Sequence, residues 1–173
     1  MLHRAGAAAL LSTALRALAG EYYVTPEGAA TWTECVEAGT PCSLDTANAR
    51  VEAGDTVHLQ AGTYASWIEP ARSGRPGEER IVYRAAGSVE VTGTRYAIHL
   101  DSVSWISVEG IEGRDCEQFL VIRAGHYNEI DHCRFEGNRG QSQWMGSWVH
   151  DSSTHNRIHH CTFARFGWVS AGD

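Results

Sequence analysis

Two carboxylates and a histidine recur at spacings that could bring them together. Glu109, Asp131 and His159 follow one another at intervals of about 20–30 residues, the period of a stacked repeat. If these positions lie on neighbouring strands, their side chains are about 5 Å apart. Two carboxylates at that distance repel, so one must bind a proton or a cation must lie between them. The three residues are therefore a candidate site for calcium or for substrate. The more common explanation of such a column is a solvated charged face on which His159 offsets Asp131.

A second group of residues suits carbohydrate. Segment 137–151 is predicted to be a loop, and it carries Arg139, Trp144, Trp148 and His150. Aromatic rings stack on sugars, and arginine pairs with carboxylates. We predict that these four residues bind an acidic polysaccharide. The alternative is that Trp148 only packs over the neighbouring strand.

The metal-site candidates and the carbohydrate-binding candidates need a fold that positions them, and the sequence contains a repeat that could form it. Residues 128–135 and 156–163 share the pattern N-x-I-x-H-C-x-F, and a looser copy precedes the first, where Val108 matches Ile130. Repeats of about 20–30 residues with short β-rich units are typical of a solenoid whose coils stack into one core. Leucine-rich repeats and β-sandwiches lack this register. The sequence therefore predicts an all-β fold, a right-handed parallel β-helix.

Short runs rich in β-branched residues supply the predicted strands. They are Val57–Leu59, Ile81–Tyr83, Val89–Val91, Ala97–Leu100 and Trp105–Val108. Residues 33–51 are expected to include a short helix that caps the first coil, with Asp45 or Thr46 as its N-cap.

The repeat also gives its own residues structural roles. Cys133 over Cys161 is expected to belong to an inward ladder, because buried cysteine behaves as a small apolar group. Asn128 over Asn156 is expected to form a stack whose amides satisfy backbone groups at a turn. The other expected inward pairs are Ile130 over Ile158 and Phe135 over Phe163.

The N-terminus and two cysteines indicate export. Residues 1–20 have the cation, short apolar run and small residues of a signal peptide, although Arg16 interrupts the run. The alternatives are an amphipathic capping helix and a misplaced start codon. Residues 21–173 are expected to be the N-terminal coils of a single parallel β-helix domain. Cys35 and Cys42 bracket a short loop, so a disulfide is expected there, with two unpaired thiols as the alternative. The predicted location is secreted, periplasmic or extracellular.

Charge and composition exclude some partners. The net charge of −7 gives no support for nucleic-acid binding. The N-terminal apolar run is too short to span a bilayer, so no membrane span is predicted. All 14 basic residues are arginine, so no lysine can serve as a catalytic base. The full-length protein is expected to be a monomer.

Several segments resemble the N-terminal region of right-handed parallel β-helix proteins. Residues 54–64 closely resemble their GDTV-x-L-x-x-GTY first coil, residues 22–26 their first strand, and residues 73–85 their next turn and strand. Within that fold, the N-x-I-x-H-C-x-F repeats resemble the alginate lyase and chondroitinase B group of polysaccharide lyases. The resemblance covers nearly all of the chain after residue 21. It implies an extracellular, uronate-containing polysaccharide as the substrate class.

The resemblance implies β-elimination. Such a lyase neutralises the uronate carboxylate with calcium or arginine and removes the C5 proton with a side-chain base. In the resembled lyases, a lysine and an arginine on later coils do this. Because no C-terminal capping pattern follows the last repeat, the catalytic coils are expected beyond residue 173, and no catalytic residue is assigned. The alternative to this lyase-like protein is a non-catalytic glycan-binding or cell-surface structural module.

Overall fold

The computed structural model describes residues 19–77, 79–138 and 146–165. These residues form an all-β protein with one short helix, α1, at Leu44–Arg50. The strands in chain order are β1 Glu21–Val24, β2 Thr56–Tyr64, β3 Ile81–Thr92, β4 Tyr96–Asp101, β5 Ile106–Cys116, β6 Gln118–Arg123, β7 Glu129–Asp131, β8 Arg134–Asn138, β9 Gly146–His150, β10 Arg157–His159 and β11 Thr162–Ala164. Within the described ranges, no helix has the length and apolar character needed to cross a membrane. Residues 1–18 of the predicted signal peptide lie outside these ranges.

The strands stack in parallel to form a solenoid of about four turns. The longer sheet has the order β1-β2-β3-β5-β7-β10, with β8 pairing to β5 and β11, and the second sheet has the order β4-β6-β9. This confirms the predicted parallel β-helix. The runs Ile81–Tyr83 and Val89–Val91, predicted as two strands, are parts of the single strand β3. The strand pairing shifts between Arg84 and Val89, where β3 is irregular.

The repeat sets the register of the last described coils. Ile158 pairs with Ile130 and Phe163 pairs with Phe135, as predicted. Ile130 and Phe135 are fully buried, whereas Ile158 and Phe163 are 39% and 40% exposed. The difference follows from position, because Ile158 and Phe163 lie on the last coil that the structure describes.

Two cysteines extend the same inward face. Cys133 is 2% exposed, and Cys161 packs against the core from the next coil. Both are free thiols. The hydrogen bond with Cys161, together with burial, raises the pKa of Cys133, so Cys133 is a neutral core group.

An asparagine stack ties three coils together at one turn. The Asn128 side chain is fully buried; its Oδ1 accepts from the Ile106 backbone N–H at 3.0 Å, and its Nδ2 donates to the Val103 carbonyl at 3.0 Å. The Asn128 backbone N–H donates to Asn156 Oδ1 at 2.9 Å, and Asn156 Nδ2 donates to the Gly125 carbonyl at 2.8 Å. Each amide therefore satisfies backbone groups that the bend leaves without a strand partner.

Helix α1 packs against β1 and buries Leu44 and Ala47. Its N-cap is Ser43, whose Oγ accepts a hydrogen bond from the Thr46 backbone N–H at 3.2 Å. The predicted caps Asp45 and Thr46 are therefore wrong, since both residues lie inside the first turn. Ser43 takes the role because its extended backbone lets its hydroxyl reach back to an unpaired N–H.

Candidate functional site

The outer face of the second sheet carries a groove. Two columns of outward side chains cross its three strands, His99–Val121–Trp148 and Asp101–Arg123–His150. The groove has a volume of about 510 Å³, which is ordinary for a ligand site. It is lined by Arg95, Tyr96, His99, Gln118, Val121, Arg123, Trp148 and His150.

Aromatic rings give the groove apolar surface. The ring of Tyr96 stacks on the imidazole of His99, with centroids 4.2 Å apart and planes 11° from parallel. Trp67 packs edge-on against Tyr96, with ring centroids 5.8 Å apart. Trp148 is 37% exposed. A sugar ring in the groove could therefore stack on the exposed part of this indole.

Arg123 and His99 in the groove each contact a carboxylate. The Arg123 guanidinium pairs with both carboxylate oxygens of Asp101, with Nε 3.0 Å from Oδ1. This hydrogen bond lowers the pKa of Asp101 and raises the pKa of Arg123. His99 Nδ1 lies 2.7 Å from Glu69 Oε1, so the ring of His99 has a fixed orientation.

Arg95 differs from these two side chains. Its side chain is exposed, and its guanidinium carbon lies 5.1 Å from the centre of the Tyr96 ring. His150, by contrast, is 3.2 Å from Asp151. Among the described residues, no carboxylate forms an ion pair with Arg95, so its charge is open to an acidic ligand.

Two of the four residues predicted to bind polysaccharide line this groove. Trp148 and His150 lie on strand β9, and the prediction of a loop there is wrong, because Gly146–His150 pairs in register with β6. Arg139 and Trp144 fall outside the described residues, so their involvement stays a prediction.

The remaining groove residues were not predicted from the sequence, although the sequence contains a signal for some of them. The spacing between β4 and β6 equals the spacing between the looser copy of the repeat and the first full copy. At this spacing His99 pairs with Val121, and Asp101 pairs with Arg123. The interval from Val121 to Trp148 is longer. Because of the insertion before β9, residues at one fixed period do not include Trp148 and His150, the third members of the two columns.

A cluster of histidine and aspartate side chains lies where β7 and β10 end. Asp131 Oδ1 is 2.9 Å from His160 Nδ1 and 3.2 Å from His159 Nδ1, and the two ring nitrogens are 3.0 Å apart. Burial raises the pKa of Asp131, but hydrogen bonds from His160 and His132 outweigh it and bring the pKa below its usual value. These three ligand atoms are close enough to share one metal ion.

Glu109 does not belong to that cluster. The register places Glu109 beside Asp131 and Asp131 beside His159, as the sequence predicted. The carboxylate of Glu109, however, pairs with Arg84 on the other side, through Nε at 2.7 Å and Nη2 at 3.2 Å. Arg84 therefore neutralises Glu109, and His160 joins Asp131 and His159 in its place.

The two N-terminal cysteines lie side by side around β1. The Tyr23 backbone N–H donates to the Cys35 carbonyl at 2.8 Å, and the Cys42 N–H donates to the Tyr23 carbonyl at 3.0 Å. Burial, with the hydrogen bond to Cys35, raises the pKa of Cys42 to about 12. Both are free thiols in the structure, and the disulfide stays a prediction.

The fold and the groove define the class: a parallel β-helix with a lateral groove of aromatic and basic side chains. No protein-family model, curated protein or solved structure matches the chain.

Proposed function

We propose that this β-helix binds an acidic, uronate-containing polysaccharide outside the cytoplasm, in the groove of the second sheet. The observation that carries the proposal is the open charge of Arg95 in the same groove as the exposed ring of Trp148. An arginine without an acidic partner can bind a sugar carboxylate, and an exposed indole can bind the apolar face of a sugar. The resemblance to polysaccharide lyases supports the same substrate class.

The geometry also favours an elongated ligand. The columns cross three parallel strands, and neighbouring strands are about 4.8 Å apart. A polysaccharide lying along the β-helix axis would contact, at each strand, one side chain from each of the two columns. The net charge of −7 works against long-range attraction of a polyanion. Affinity should therefore depend on the local contacts of Arg95 and Trp148.

Replacing Trp148 by alanine is expected to lower the affinity for acidic oligosaccharides about 10- to 100-fold, since a stacked aromatic side chain contributes about 1.5–3 kcal/mol. Isothermal titration calorimetry with alginate- and chondroitin-type oligosaccharides would measure this. Tyr127→Ala is the matched control, because Tyr127 is similarly exposed (38%) but stacks between Trp105 and His155 outside the groove. Equal losses in the two variants, or no binding by the parent chain, would contradict the proposal.

A polysaccharide lyase is the second candidate, and the His99–Glu69 contact favours it. Glu69 orients the imidazole of His99, which lies in one groove with Arg95. In β-elimination, such a base takes the C5 proton while the C4–O bond breaks, a C4–C5 double bond forms, and the leaving oxygen gains a proton. Arginine would neutralise the uronate carboxylate.

The chain contains no lysine and the sequence assigns no catalytic residue, so we expect binding without elimination. The assay is the ultraviolet absorbance of unsaturated uronates in mixtures of the chain with alginate or chondroitin. Products that form with the parent chain but not with His99→Gln would overturn that expectation and make the groove catalytic. Binding without products would identify a glycan-binding module.

A further inference from the structure

The cluster at the ends of β7 and β10 is separate from the glycan groove, and it has the composition of a transition-metal site. We propose that Asp131, His159 and His160 bind one divalent first-row transition metal ion of the Zn²⁺ type. Two imidazole nitrogens and one carboxylate oxygen suit such an ion, whereas Ca²⁺ takes six to eight oxygen ligands. The cluster thus differs in residues and in metal from the calcium site that the sequence predicted.

The distances fit a single ion. The three separations between Asp131 Oδ1, His159 Nδ1 and His160 Nδ1 are 2.9, 3.2 and 3.0 Å. Ligand atoms at about 2.0–2.1 Å from a tetrahedral zinc ion are about 3.3 Å apart. Without a metal, imidazole N–H groups hold these atoms together by hydrogen bonds to Asp131 Oδ1. A metal ion would replace the shared proton and take one lone pair from each of the three atoms.

The surroundings prepare one nitrogen for coordination. His159 Nε2 lies 2.8 Å from Glu129 Oε1, and Arg157 Nη1 lies 3.7 Å from the same oxygen. A proton on Nε2, donated to Glu129, leaves the Nδ1 lone pair of His159 free to bind metal. Metal-binding histidines usually donate their second nitrogen to a carboxylate in this way.

The ligands come from two neighbouring coils. Asp131 ends β7, while His159 ends β10 and His160 occupies the bend that follows, with a positive φ of 51°. That backbone conformation directs the His160 ring toward the carboxylate of Asp131, which His159 also contacts. His132 takes the equivalent bend of the earlier coil and contacts Asp131 at 2.7 Å. A bound ion would therefore link the two coils and stabilise the later one.

The experiment is a titration of the whole chain with ZnCl₂ and CoCl₂. We expect one ion per chain, intense Co²⁺ absorption bands of four-coordinate geometry, and a higher melting temperature with Zn²⁺. Asp131→Asn and His160→Asn should each lower Zn²⁺ affinity by 100-fold or more. Glu129→Gln should lower it about 10- to 100-fold through the orientation of His159. CaCl₂ should give none of these effects.

His155→Asn is the matched control, because His155 is an exposed histidine of the same coil that stacks on Tyr127 instead. It should bind Zn²⁺ as the parent chain does. Circular dichroism of the metal-free variants establishes that they are folded. The proposal is wrong if the parent chain binds no Zn²⁺, or if folded His160→Asn keeps the parent affinity. It is also wrong if His155→Asn loses as much affinity as His160→Asn, since the ion would then bind histidines in general.

Discussion

Replacing Phe135 by alanine is expected to lower the free energy of unfolding by about 3–5 kcal/mol. Phe135 is fully buried, and its ring lies 5.7 Å from that of Phe119 and 5.0 Å from that of Phe163 on the next coil. Its removal would leave a cavity in the middle of the stacked core. The rigid strands on either side limit how far that cavity could collapse.

Phe163→Ala is the matched control for this prediction. Phe163 occupies the same position of the repeat one coil later, but it is 40% exposed. Less apolar area is lost there, so the destabilisation should be under half of that for Phe135→Ala. Urea denaturation followed by circular dichroism measures both values. Similar losses in the two variants would show that the coils do not stack as described.

Replacing Asn128 by alanine is expected to cost about 2–6 kcal/mol of stability, because it leaves two buried backbone groups without a partner, at about 1–3 kcal/mol each. These are the N–H of Ile106 and the carbonyl of Val103, which the side-chain amide now satisfies. Asn156→Ala should cost less, since Asn156 is only half-buried. The same denaturation experiment compares the two, and an equal or larger loss for Asn156→Ala would count against the buried stack.

The inward face of the β-helix could be predicted from the sequence because it repeats. Asn128, Ile130 and Phe135 each recur one coil later at a constant offset, and stacking converts that offset directly into the observed register. Equivalent core positions on neighbouring coils have similar surroundings, so similar residue types occupy them. The short cap α1 was predicted in outline, but its N-cap required the backbone conformation of Ser43.

The outward residues could not be predicted in the same way, because nothing requires them to repeat. Arg84 pairs with Glu109 next to the irregularity in β3. No repeated segment indicated the offset between them, so the ion pair that removes Glu109 from the predicted metal site was missed. Trp148 was assigned to a loop for a related reason, since the insertion before β9 changes the spacing of the coils.

The binding of a sugar carboxylate by Arg95 in the groove is tested most directly by four titrations. The affinities of the parent chain and of Arg95→Gln are measured for an acidic oligosaccharide and for the same oligosaccharide with its carboxyl groups reduced to alcohols. A hydrogen bond to a charged group contributes about 1.5–3 kcal/mol, so Arg95→Gln should lose tenfold or more in affinity for the acidic ligand. Its affinity for the reduced ligand should match that of the parent chain. Equal losses for both ligands, or no loss for either, would contradict the account.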